Sequence, residues 1–135
     1  MPFGKGTRHA ATAAMVTALD LQRRTEAFAV AVVKVCRTLP ETPEARNVRD
    51  QLSRSATSVA ANYRAACRAR SRAEFVAKLG LVVEEADEAH MWLGMIISLD
   101  LSTHADVQRL HHEADELTAI FVASRRTAAR HRLAR

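Results

Sequence analysis

Aromatic residues, glycine, proline and cysteine are all scarce in this sequence of 135 residues. Aromatic residues make up 4% of the chain, and there are only four glycines and three prolines. Sheet-rich domains need glycine and proline for their many turns, so this shortage argues against them. A hydrophobic content of 48% with so few aromatics leaves a core of aliphatic side chains and alanine. The length and composition therefore favour a single domain of closely packed helices.

The two cysteines, Cys36 and Cys67, are too far apart for a CxxC metal or redox motif. Both lie within predicted helices, so we interpret them as buried, reduced thiols of a cytoplasmic protein. No apolar run approaches the ~20 residues that a membrane-spanning helix needs. The short apolar stretch after Lys5 and Arg8 runs directly into Asp20, unlike a signal peptide. We therefore predict a cytoplasmic protein without a membrane segment.

Basic charge is spread unevenly along the chain. The formal net charge is +5, and residues 125–135 contain five arginines and no acid, which leaves residues 1–124 formally neutral. The high isoelectric point alone is therefore weak evidence for nucleic-acid binding. We interpret residues 125–135 as a basic C-terminal tail. Residues 1–18, with Gly4 and Gly6 and no sustained periodicity, are interpreted as a flexible N-terminal arm.

Between these ends, apolar residues recur at steps of three and four, as is typical of bundle helices. A first helix is predicted from about Asp20 to Thr38, and Pro40 ends it because the residue before proline leaves the helical region. Thr42 is a natural N-cap for a second helix, with Pro43 at its first position.

Two further helices begin at capping patterns. Ser71 and Glu74 form the capping box of a third helix, which should end near Asp100. Thr103 and Asp106 repeat this pattern at the start of a fourth helix, which we expect to fray into the arginine tail. Four helices of similar length with short connections must alternate in direction. The sequence therefore predicts an all-α fold, an antiparallel up-down-up-down four-helix bundle over residues 19–124.

The sequence lacks the common motifs of enzyme active sites. It contains no glycine-rich nucleotide loop, serine-hydrolase elbow or HExxH zinc motif. A di-iron bundle needs an acid-x-x-His motif on two helices, and Asp87-x-x-His90 is the only such spacing. His111 and Asp115 would give a metal only two ligands, so a solvated polar surface is the simpler interpretation. We predict a non-enzymatic protein with no metal, no cofactor and no small-molecule substrate.

The segment from Met91 to Leu99 is apolar on nearly all sides of the third helix. A bundle helix buries only one stripe, so the surplus needs a second cover. Scattered exposed apolar residues are common on monomers, but this surplus is contiguous and includes the only tryptophan. We therefore predict a homo-oligomer. The candidate interface residues are Met91, Trp92, Met95 and Leu99.

Two polar residues, Ser55 and Asn62, interrupt the apolar seam of the second helix, while residues 84–88 contain four acids. Unpaired buried polar groups are costly, so we predict that these groups meet in a buried network. In the alternative, the acids face solvent or a neighbouring subunit and Asn62 bonds only to the backbone. The predicted members of the network are Arg54, Asn62, Glu85 and Glu88.

Arginines gather at the end of the second helix and in the tail. Cations at a helix C-terminus complement the helix dipole, which is a sufficient structural explanation. Grouped at one end of a bundle, they would also offer a surface to the phosphates of RNA or DNA. The shortage of aromatic residues argues against base stacking. The candidate nucleic-acid-binding residues are Arg64, Arg68, Arg70, Arg72, Arg125 and Arg126.

Three segments of the sequence carry a resemblance to a known family. They read Gln51-Leu52-x-Arg54-Ser55-Ala56-x-Ser58-Val59-x-x-Asn62, Ser71-x-x-Glu74-Phe75 and Glu85-Ala86-x-Glu88-x-x-x-Trp92-Leu93. Over roughly residues 20 to 122 the chain resembles the four-helix-bundle proteins encoded in intervening sequences of bacterial 23S ribosomal RNA genes. The resemblance implies a small cytoplasmic bacterial bundle that assembles as a homopentamer, without established enzymatic activity. A related branch includes the accessory protein of diversity-generating retroelements, which partners a reverse transcriptase and nucleic acid.

Two functions remain open at this point. The leading hypothesis is a non-enzymatic homo-oligomeric scaffold or interaction module, with five copies the number that the resemblance implies. The alternative is a basic accessory protein that contacts the phosphates of RNA or DNA.

Overall fold

The computed structural model consists of four long helices joined by short connections. It describes the backbone of residues 2–133 and the side chains of residues 18–131. The helices are α1 (Pro2–Cys36), α2 (Pro43–Cys67), α3 (Arg72–Ser98) and α4 (Asp106–Leu133). Consecutive helices pack against each other, and α1 also packs against α4. The prediction of an all-α, up-down-up-down four-helix bundle is confirmed.

Aliphatic side chains and alanine fill the centre of the bundle, as the shortage of aromatics predicts. The largest fully buried side chain is Phe121, whose ring centroid lies 4.9 Å from that of Tyr63. Small buried residues let the helix backbones approach closely, because an alanine side chain ends at Cβ. Among residues 18–131, five alanines are completely buried: Ala45, Ala56, Ala86, Ala89 and Ala114.

The first and last helices are longer than predicted. α1 begins at Pro2, well ahead of the predicted start at Asp20, and α4 continues to Leu133 where fraying was expected. Both extensions are rich in alanine, the residue with the highest helix propensity. In α4 the buried Ala128 also fixes the last turns against the bundle. The interpretation of residues 1–18 as an arm, whose side chains lie outside the described residues, stays a prediction.

The predicted N-caps of α2 and α3 are confirmed. Thr42 Oγ1 accepts a hydrogen bond from Ala45 N at 3.3 Å, and Ser71 Oγ accepts one from Glu74 N at 3.1 Å. The Glu74 carboxylate accepts in turn from Arg70 N, one residue before the cap, at 3.1 Å. Both motifs satisfy N–H groups that the first helical turn leaves unpaired.

The connection between α3 and α4 differs from the prediction. Asp100, two residues after the end of α3, adopts the left-handed conformation (φ 50°), which aspartate tolerates better than most residues. The N–H of Asp106 then donates to His104 Nδ1 at 3.0 Å. The prediction that Thr103 caps α4 is therefore replaced by a histidine cap, since the imidazole nitrogen is the acceptor within reach.

The two cysteines have different environments. Cys36 is buried, and burial raises the pKa of its thiol to about 11. Cys67 lies exposed in the last turn of α2, which corrects its interpretation as a buried thiol. Within the described part of the chain, none of the helices has the length and apolar character that crossing a membrane would require.

Candidate interaction surfaces

A band of residues, all exposed except the half-buried Glu88, runs along the outer side of α3, and we call it the α3 stripe. At 100° per residue its members fall within about 80° around the helix axis. The stripe consists of Leu81, Glu84, Glu88, Met91, Met95 and Leu99. Its apolar members are unusually open to solvent, with 50% of Met91 and 39% of Met95 exposed. Large apolar side chains in one contiguous band mark a surface that binds another molecule.

Trp92 lies at the edge of the α3 stripe. It is only partly exposed because one side of its ring packs against the core. Its indole N–H donates to the Glu88 carboxylate at 3.3 Å, one turn earlier on the same helix. Of the four predicted interface residues, Met91, Met95 and Leu99 are therefore exposed, whereas Trp92 is partly buried against the core.

The acids of α3 crowd together with one cation, Arg54 on α2, near them. Burial raises the pKa of Glu85, and the charges of Glu88 and Glu84 raise it further, while Arg54 lowers it. Within the described residues, none of the four acids between 84 and 88 forms an ion pair. A single chain therefore compensates this negative charge only in part.

The predicted buried network is not formed in this chain. The Asn62 amide donates to Ser58 O at 3.0 Å on its own helix, and the Ser55 hydroxyl donates to Gln51 O at 2.6 Å. Helical carbonyls one turn earlier can accept a second hydrogen bond, so both polar groups are satisfied without leaving α2. Glu85 and Glu88 are both half-buried, and Glu88 accepts a hydrogen bond from Trp92 on its own helix. The alternative interpretation is thus met for Asn62, which bonds only to the backbone.

A basic groove lies between the end of α2 and the start of α3. Its volume is about 530 Å³, and its lining residues are Ala61, Arg64, Ala65, Arg68, Arg70, Glu74 and Lys78. Four cations therefore face a single carboxylate, and the ion pair between Arg64 and Glu26 on α1 is long, at 3.9 Å. Lys78 was missed in the sequence because it follows the arginine cluster by several residues and joins it only through the α2–α3 turn.

The other predicted nucleic-acid-binding arginines lie on different sides of the same end of the bundle. Arg72 lines a separate groove together with Leu19 and Phe75. Arg125 and Arg126 are exposed on α4, at a groove between α3 and α4 that Val76 and Val83 also line. A Cβ atom at Gly80 would lie 3.3 Å from the Arg125 guanidinium, so this glycine gives the arginine room against α3. The six arginines therefore do not form one continuous site.

A histidine pair joins α3 to α4. The rings of His90 and His111 stack with centroids 4.2 Å apart and an interplanar angle of 17°. Burial and then the charge of His90 lower the pKa of His111, while Asp115 partly offsets them. Among the described residues, no group of three or more metal-binding side chains comes together. That the protein binds no metal stays a prediction.

From the lowered pKa of His111 we predict that the free energy of unfolding falls on mild acidification. A histidine whose pKa is lower in the folded state binds more protons when unfolded, so the free energy of unfolding should drop as the pH falls below about 6.5. Urea unfolding between pH 7.5 and 5 would measure this, and His111→Gln should flatten the dependence. His131→Gln, at an exposed position of α4, is the control and should leave it unchanged. Equal pH dependence in all three proteins would contradict the assignment of this effect to His111.

Comparisons with known proteins identify a family and a solved structure with a similar fold. Residues 17–123 match the family described as 23S rRNA-intervening sequence protein. A solved structure of a protein of unknown function, from the S23 ribosomal protein family of Bacteroides thetaiotaomicron, is 27% identical to this chain with a TM-score of 0.72. The alignment covers 81% of this chain and 97% of that one. No curated protein sequence matches the chain.

Proposed function

This chain belongs to the 23S rRNA-intervening sequence protein family, and we propose that it works as a non-enzymatic, homo-oligomeric helical-bundle scaffold in the cytoplasm. The observation that carries the proposal is the α3 stripe. Its four apolar members are 39–50% exposed on a chain whose core is otherwise well buried. Covering apolar surface stabilises an assembly by about 25 cal/mol per Å², so copies of the chain have a reason to associate there. Five copies is the number that the family resemblance implies.

Light scattering tests the proposal. We expect the wild-type protein at micromolar concentration to have several times the monomer mass of 14.9 kDa. The double variant Met91→Lys with Met95→Lys should be a monomer, because assembly would take two strongly hydrated ammonium groups out of water at an apolar contact. The matched control is Ala119→Lys with Ala123→Lys, which places the same charges at the same spacing on exposed positions of α4. A monomeric wild-type protein would rule out the scaffold.

The basic groove favours a second candidate function, the binding of RNA or DNA through phosphate contacts. Four cations against one carboxylate form a surface that attracts phosphate without reading the base sequence. Assembly would multiply a modest groove through avidity, so this function is compatible with the scaffold. The retroelement partners that the resemblance implies stay a prediction.

Salt dependence tests the second candidate. The affinity for a short fluorescent RNA should fall steeply with salt, and log affinity against log salt should have a slope of about −0.7 for each single-strand phosphate contact. Arg68→Gln with Arg70→Gln should weaken binding. It should also make the slope shallower by about 0.7 to 1.4, which corresponds to the loss of one to two phosphate contacts. Arg46→Gln, an exposed arginine at the opposite end of the bundle, should change neither. Absence of binding at low salt would leave the scaffold alone.

A further inference from the structure

The outer side of α1 carries a second exposed band, which we call the α1 stripe. It consists of Leu19, Arg23, Glu26, Val30, Lys34 and Arg37, again within about 80° around the helix axis. Leu19 is 46% exposed and Val30 is 55% exposed. Among the described residues, every exposed large apolar side chain lies on one of the two stripes. The molecule therefore has two apolar surfaces, and neither the bundle core nor the basic groove accounts for them.

The two stripes carry opposite charge. Four acids lie on or beside the α3 stripe, and the chain has no lysine or arginine between Lys78 and Arg109. The α1 stripe carries three cations: Arg23, Lys34 and Arg37. Within the described residues these cations form no ion pair, and Glu26, the one acid of the stripe, pairs with Arg64 at 3.9 Å. Each stripe thus lacks the charge that the other supplies.

Contacts of α4 place the two stripes at the same height along the bundle. The carboxylate of Glu113 accepts a hydrogen bond from Arg24 on α1 at 2.7 Å, and His111, two residues earlier on α4, stacks on His90 of α3. Arg24 and His90 are therefore nearly level. Because α1 and α3 run in the same direction, other pairs of positions along the two helices follow from a rise of about 1.5 Å per residue.

Counting from this level brings matching residues opposite each other. Arg23 lies within one residue of the level of the acid Glu88, and Val30 lies within one residue of the level of Met95. Val30 also borders a shallow apolar groove of about 270 Å³ between α1 and α2, lined by Ala29, Val33 and Thr57, with Lys34 and Arg37 at its edge. Such a groove suits a methionine, whose unbranched side chain adapts to irregular gaps.

We propose that the α3 stripe of one copy docks on the α1 stripe of the next copy, so that the assembly is head-to-tail. The inference rests on the proposed scaffold function and names the surfaces that build it. α1 and α3 are diagonal in the bundle, so the two stripes face opposite ways and each copy binds two neighbours. Contacts of this kind close into rings when the rotation allows it. A two-fold contact between α3 stripes would instead set acids against acids, which costs free energy.

A charge swap tests the arrangement. Changing Arg23→Glu and Lys34→Glu makes the α1 stripe acidic, and changing Glu84→Lys and Glu88→Lys makes the α3 stripe basic. Each pair alone should give a monomer by light scattering at concentrations where the wild type is assembled, since like charges then meet. The chain with all four changes restores opposite charges and should assemble again. Circular dichroism and urea unfolding check that each variant is folded.

The outcomes separate this inference from the scaffold itself. If the acidic α1 variant assembles as the wild type does, the α1 stripe is not part of the interface and the head-to-tail arrangement falls. The same conclusion follows if the folded four-change variant stays monomeric while both pairs of changes abolish assembly. The scaffold survives either result, because it depends on the wild-type mass and on Met91→Lys with Met95→Lys. Arg46→Glu with Arg130→Glu, off both stripes, is the control and should assemble normally.

Discussion

Phe121→Ala is expected to lower the free energy of unfolding by about 3–5 kcal/mol, the range for truncating a fully buried phenylalanine. Phe121 has no exposed surface, and it packs against Tyr63 with 4.9 Å between ring centroids. Removing the ring takes away its burial and the tilted aromatic contact, and it leaves a cavity. The surrounding helices can close only partly onto that space, which adds a cavity term to the loss.

Urea denaturation followed by circular dichroism measures this loss. Domains of this size have a total stability of about 5–15 kcal/mol, so the variant should unfold at a much lower urea concentration. Phe75→Ala is the control, because Phe75 only partly packs against the core, and it should cost clearly less. If the two variants lose equal stability, Phe121 does not have the central role assigned to it.

Arg24→Met is expected to cost about 1–2 kcal/mol by breaking the ionic contact between α1 and α4. The Arg24 guanidinium binds the Glu113 carboxylate with both ends of its fork and also donates to Glu116 at 2.7 Å. Hydrogen bonding to Glu113 is the main reason that the pKa of Arg24 lies above its usual value. Bidentate pairs of this kind exceed ordinary surface ion pairs, which contribute ~0–1 kcal/mol. Solvent screening keeps the value modest, since 36% of the Arg24 side chain is exposed.

A double-mutant cycle isolates this interaction. Arg24→Met and Glu113→Gln, made singly and together, should show a coupling energy of about 1 kcal/mol or more. The exposed pair of Arg109 and Asp106, 3.4 Å apart at the start of α4, provides the comparison and should give less than about 0.5 kcal/mol. Strict additivity at Arg24 and Glu113 would mean that α1 and α4 are held by apolar contacts alone.

Local signals made the helix boundaries of α2 and the start of α3 predictable. Thr42 before Pro43 and Ser71 before Glu74 determine their caps from residues within one helical turn, which the sequence displays directly. The start of α1 was predicted too late because a lack of apolar periodicity was taken as a lack of helix. An alanine-rich segment can form a helix without an apolar stripe. Helix propensity therefore predicts a helix at the start of α1 where apolar periodicity does not.

Contacts between distant segments could not be predicted in the same way. Arg24 meets Glu113 across 89 positions of sequence, and the stacking of His90 on His111 depends on how α3 slides along α4. A register shift of one turn would separate both pairs while leaving every periodicity unchanged. The network expected for Asn62 failed for a related reason, since its amide bonds within α2 and does not reach across to α3.

The pairing of Tyr63 with Phe121 and the position of Trp92 have a spectroscopic consequence. The chain has one tyrosine and one tryptophan, and they lie in different environments. Excitation at wavelengths that only indole absorbs reports on the outer side of α3, where Trp92 sits beside the exposed methionines. The buried Tyr63 contributes to the near-ultraviolet circular dichroism from within the core. If copies associate through the α3 stripe as proposed, dilution should change the indole fluorescence and leave the contribution of Tyr63 unchanged, whereas unfolding should change both.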